Sequence, residues 1–165
     1  MRYLMRQNLF SMEEDYAVKD ERGRDHYVVA GGAARDGDRL SFQDTRGREV
    51  AYVRRRVQPN GPAYELFYAD ELQAVVKSRQ FNPSRCTFGV AGGSPDDLHA
   101  YGDLPGLEYA FSREGHPVAN VSRGWYQPPE TYAVQVAHAE DDVLILASTV
   151  IVDLCCQQYC AAVRG

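Results

Sequence analysis

Four basic residues occupy alternate positions in two short runs. Arg54 and Arg56 lie in Ala51-Tyr52-Val53-Arg54-Arg55-Arg56, and Lys77 and Arg79 in Ala74-Val75-Val76-Lys77-Ser78-Arg79. Residues two apart on a strand point to the same face. Arg-x-Arg on one strand and Lys-x-Arg on a neighbour would therefore gather several donors over one spot, as recognition of a phosphorylated head group requires. The same pattern also suits a solvated face that protects a sheet edge.

Other chemistry-bearing residues fit no reaction. Cys156 and Cys160 are four apart and share a helix face, Cys155 points elsewhere, and there is no Cys-x-x-Cys pair. A zinc site would need a further ligand such as Cys86, so the cysteines are read as small core fillers and no metal is expected. Glu140-Asp141-Asp142 and Asp96-Asp97 lack the alternating oxygen ligands of a calcium loop. Gly89-Val90-Ala91-Gly92-Gly93-Ser94 lacks the Lys-Ser/Thr of a phosphate loop and reads as a turn. His26, His99, His116 and His138 are scattered. Trp125 reads as a core residue at a strand end. No nucleophile elbow or Ser-His-Asp or Cys-His set can be assembled. The expectation is a protein with no catalytic residues and no cofactor.

The elements that must position these residues are mostly strands. Gly-containing turns recur at Asp20-Glu21-Arg22-Gly23, Asp44-Thr45-Arg46-Gly47 and Ser112-Arg113-Glu114-Gly115, with a glycine-free one at Tyr68-Ala69-Asp70-Glu71. Val, Tyr and Phe flank them, so residues 1–138 read as about twelve strands joined by hairpin turns. After three of these turns Ala-x-Val recurs at Ala51/Val53, Ala74/Val76 and Ala119/Val121. A small residue followed by Val on one face makes a wall that something bulky can approach.

The pattern changes after Glu140. Acidic residues at 140–142 supply an N-cap and suit the positive end of a helix. The run Val143 to Cys156 then has no polar stripe and no Gly or Pro, which predicts a helix over 141–162 enclosed on all sides. Its uninterrupted apolar stretch ends at Asp153, short of the roughly 20 residues of a membrane span. About twelve antiparallel strands can close around such a helix without leaving an edge, so the fold class expected is a mainly β, closed antiparallel barrel with a central hydrophobic helix. One domain over 1–165 accommodates it. Asp153 is expected near the barrel mouth, bonded to backbone groups or an arginine.

The segments Arg6-Gln7-Asn8-Leu9-Phe10-Ser11, Leu40-Ser41-Phe42-Gln43-Asp44, Ala51-Tyr52-Val53, and Asp141 to Ser148 followed by Asp153-Leu154-Cys155-Cys156 resemble the LURP-one-related (LOR) family. That family is similar in structure to the tubby C-terminal domain and to phospholipid scramblases. The resemblance implies a twelve-stranded barrel around a C-terminal helix. It also implies a non-enzymatic binding or scaffold domain that engages phosphoinositides or other acidic lipids. The alternative is a protein–protein interaction module with no lipid role. The net charge of −5 argues against a nucleic-acid partner. The N-terminus shows no signal-peptide hydrophobic region, which predicts a cytoplasmic protein, peripheral to the membrane if lipid is its ligand.

Overall fold

A computed structural model describes residues 1–8, 15–31, 39–59, 61–77, 81–90, 98–124, 131–138 and 140–164. Alternating apolar residues and tight turns produce twelve strands. The first six are β1 (Arg2–Asn8), β2 (Asp15–Asp20), β3 (Asp25–Gly31), β4 (Arg39–Asp44), β5 (Glu49–Arg56) and β6 (Ala63–Tyr68). They are followed by β7 (Glu71–Lys77), β8 (Arg85–Val90), β9 (Leu98–Asp103), β10 (Glu108–Arg113), β11 (His116–Ser122) and β12 (Thr131–Val136). Each strand pairs antiparallel with its neighbours in sequence, and β12 pairs with β1 to close the barrel.

The turn residues explain the hairpins. In the β2–β3 turn the Asp20 carboxylate accepts from the Arg22 and Arg24 amides and from Arg24 Nε, while Gly23 N–H donates to Asp20 O. Asp44, Arg46, Gly47 and Arg48 repeat this pattern between β4 and β5. Gly23 and Gly47 both have φ +77°, where a side chain would be strained.

The Ala-x-Val positions face inward as expected. Ala51, Val53, Ala74, Val76, Ala119 and Val121 are all buried against the core. Their small size makes room for α1 (Asp142–Arg164), which begins one residue and ends two residues beyond the predicted bounds. Asp141 caps it, its Oδ1 accepting from Leu144 N at 3.1 Å. From Leu144 to Val152 every residue is buried, Ser148 and Thr149 included. Thr149 Oγ1 donates to Ile145 O at 2.8 Å, which satisfies its hydroxyl within the helix. The β-branched run Thr149-Val150-Ile151-Val152 is a poor helix former, but each buried Val, Leu or Ile contributes roughly 2 kcal/mol, enough to outweigh propensity. Among the described residues α1 is the one helix long and apolar enough to cross a membrane, and most of that stretch is covered by the barrel wall.

Candidate outer-face anion site

Tyr64 and Leu66 of β6 turn inward to the core. Alternation places Ala63 and Glu65 on the outer face, and Phe67 joins them after a bulge between Leu66 and Phe67. All three are nevertheless buried, so they form the floor of a trough. The register sets its walls. Tyr52, Arg54 and Arg56 of β5 lie opposite Phe67, Glu65 and Ala63, while Val75 and Lys77 of β7 lie opposite Glu65 and Ala63.

At the floor one carboxylate oxygen serves two guanidiniums. Glu65 Oε1 lies 3.2 Å from Arg54 Nη2 and 3.4 Å from Arg56 Nε. Both distances exceed the roughly 2.7–2.9 Å of a well-formed charge-assisted bond. Arg54 stacks over the Phe67 ring at 5.0 Å, Phe67 stacks on Tyr52 at 4.8 Å, and Arg39 lies 4.0 Å over Tyr52 from the other side. Arg39 is also held by Glu49 at 2.6 Å. These stacks pre-order side chains that would otherwise sweep through solvent.

Of the four basic residues read from sequence, Arg54 and Arg56 are brought together around Glu65. Lys77 stands exposed across Ala63, and Arg79 lies outside the described residues. Sequence alternation places Tyr52 on the face of Arg54 and Arg56, but Glu65, Phe67 and Arg39 were missed. The signal for Glu65 was a charged residue inside the apolar run Ala63-Tyr64-Glu65-Leu66-Phe67, but its partner depended on a register that the connection over 57–62 leaves open. Asp96, Asp97, Trp125 and residues 91–94 of the glycine-rich segment also lie outside the described residues, while Gly89 belongs to β8.

The interior holds a second polar cluster. Asp153 Oδ2 accepts from Tyr16 Oη at 3.2 Å and from Tyr132 Oη at 3.3 Å, partners the sequence reading did not anticipate. Burial, and then the Asp153 carboxylate, push the Tyr132 and Tyr109 phenols well above their ordinary range, so both stay neutral. At the start of α1, Tyr3 Oη donates to Asp142 Oδ2. Burial, then that bond, raise the Tyr3 phenol as well.

The Cys155 thiol meets Cys86, and this contact together with burial raises its pKa. Burial, then Asp153, push Cys156 up to about 12. Cys86, Cys155 and Cys156 fill core space, whereas Cys160 is exposed on the emergent end of the helix and departs from the core-filler reading. No group of three or more His, Cys, Asp or Glu among the described residues could hold a metal ion.

Comparison with known proteins bears on the whole chain. The sequence profile of the family described as LURP-one-related matches residues 1–153. The uncharacterized protein YxjI of Bacillus subtilis (strain 168) is 22% identical over 150 residues, covering 91% of this chain and 90% of that protein. An X-ray structure of a protein from Arabidopsis thaliana superposes with a TM-score of 0.67 at 15% identity, covering 92% of this chain and 90% of the other. At that identity the likeness is one of fold.

Proposed function

This chain belongs to the LURP-one-related family, and on that premise we propose that it is a non-enzymatic binding domain for the phosphorylated head group of an acidic lipid. Binding takes place at the outer trough of β5–β7, at the cytosolic face of a membrane. The observation that carries this reading is the meeting of Arg54 and Arg56 at Glu65, with Lys77 in register on the next strand across Ala63. The net charge of −5 opposes general attraction to an anionic surface, so binding would depend on this local cluster. The Asp153 network supports a non-enzymatic role, because its tyrosine donors are committed to holding α1 against the wall.

Co-sedimentation with phosphoinositide-containing vesicles tests the reading. The wild-type protein is expected in the pellet, in a salt-sensitive manner, and the Arg54→Glu, Lys77→Glu double variant in the supernatant. Binding that survives both reversals removes the trough from consideration.

A protein–protein interaction role is favoured by a different observation. The strip Arg39, Tyr52, Phe67 and Arg54 combines the Tyr and Arg side chains that dominate interface energetics. That reading takes over if the wild-type protein leaves every vesicle unbound.

A further inference from the structure

We infer that Glu65 sets the affinity threshold of the trough, holding it above what the singly charged phosphodiester head groups of bulk acidic lipids can reach while a doubly charged phosphomonoester still binds. The inference rests on the lipid-binding reading above and adds what chooses the ligand.

Glu65 is a fixed feature of the floor. It is 8% exposed, and its strand position holds it between two guanidiniums that share its Oε1. Three cations (Arg54, Arg56 and Lys77) against this one carboxylate leave two net positive charges facing solvent. An anion entering the trough must share the arginines with a carboxylate buried in its floor. Its attraction to this reduced field scales with its own charge. A phosphodiester carries one negative charge and two free oxygens. A phosphomonoester carries about −1.5 to −2 and three acceptor oxygens, so it gains nearly twice the attraction and can engage both guanidiniums and the ammonium at once. The long contacts at 3.2 and 3.4 Å are ones a dianion can better, whereas a monoanion offers the arginines little beyond what Glu65 already supplies. Removing the carboxylate restores a third positive charge and lets monoanions compete.

The test compares the wild-type protein with Glu65→Gln, which keeps the side-chain volume, and with Glu71→Gln, which makes the same charge change at an exposed turn. Glu65→Met is a second isosteric variant, and thermal melting confirms that each is folded. Binding is measured to neutral vesicles doped with phosphatidylinositol monophosphate, to vesicles doped with phosphatidylglycerol, and to soluble inositol trisphosphate by calorimetry. The soluble arm separates recognition of the phosphate from recognition of the membrane. The wild type and Glu71→Gln are expected to bind the monophosphate vesicles and not phosphatidylglycerol. Glu65→Gln is expected to bind the monophosphate on the order of tenfold more tightly and to acquire phosphatidylglycerol binding. Weaker binding by Glu65→Gln, behaviour identical to wild type, or an equal gain in Glu71→Gln overturns the inference while leaving the lipid reading intact. If no variant binds any of the three ligands, the lipid reading itself falls.

Discussion

At the scale of single residues, the turn between β6 and β7 uses side chains where glycine is usual. Ala69 has φ 46° and Asp70 φ 66°, the left-handed pair that a two-residue hairpin loop demands because its twist matches that of the strands. Asp tolerates this region and its Oδ1 accepts from Tyr52 Oη, but the methyl side chain of Ala69 can make no compensating bond. Ala69→Gly is therefore expected to stabilise the protein by about 1 kcal/mol, read as a higher urea midpoint with an unchanged slope. An unchanged or lower midpoint would show that the loop carries no strain to relieve. The turn itself was legible in Tyr68-Ala69-Asp70-Glu71. Its left-handed geometry follows from loop length and strand pairing, which no single residue there reveals.

At the scale of elements, α1 and the barrel wall form one core. The helix was legible because its apolar run lacks both a polar stripe and a breaker, and the wall because Ala-x-Val recurs at three strands. Val150 sits in the enclosed stretch with no exposed surface. Val150→Asp would bury a carboxylate with no partner provided for it, at a cost of several kcal/mol, comparable to the stability of a whole domain. The variant is expected in the insoluble fraction on expression. A soluble variant with a cooperative melt would sink the enclosed-helix account. The β5–β6 pairing was less legible. Alternation predicted which face Arg54 and Arg56 take, but the connection over 57–62 is too long for its turn type to dictate register, so Glu65 could not be assigned as their partner.

At the scale of the whole molecule, buried tyrosines tie the wall to the start and the middle of the helix. Tyr3 bonds Asp142 near its start, while Tyr16 and Tyr132 bond Asp153 farther along. Burial, reinforced by nearby carboxylates, raises the phenols of Tyr3, Tyr68, Tyr109 and Tyr132 above the ordinary value of 10.0. In the unfolded chain these phenols ionise near that ordinary value, whereas in the barrel they hold their protons. The stability they contribute is thus fully present below about pH 10 and is lost as pH rises beyond it toward the folded values. Tyrosinate absorbance from these rings is expected to appear together with the loss of far-ultraviolet circular dichroism, in one alkaline step. Complete ionisation with the dichroism unchanged would contradict their burial.

The amino-acid sequence alone determined the enclosed helix, the small-residue wall, turns such as those at Gly23 and Gly47, and the outer face taken by Arg54, Arg56 and Lys77. These depend on periods of 3.6 and 2.0 and on local turn chemistry, all of which are written in short windows of sequence. Only the tertiary structure decided that Glu65 lies between Arg54 and Arg56, that Tyr16 and Tyr132 meet Asp153, and that Cys86 meets Cys155. The reason is that such pairings depend on strand register and on the rotation of the helix within the barrel. Both are settled by closure and packing across the whole core, where residues far apart in sequence compete for the same space.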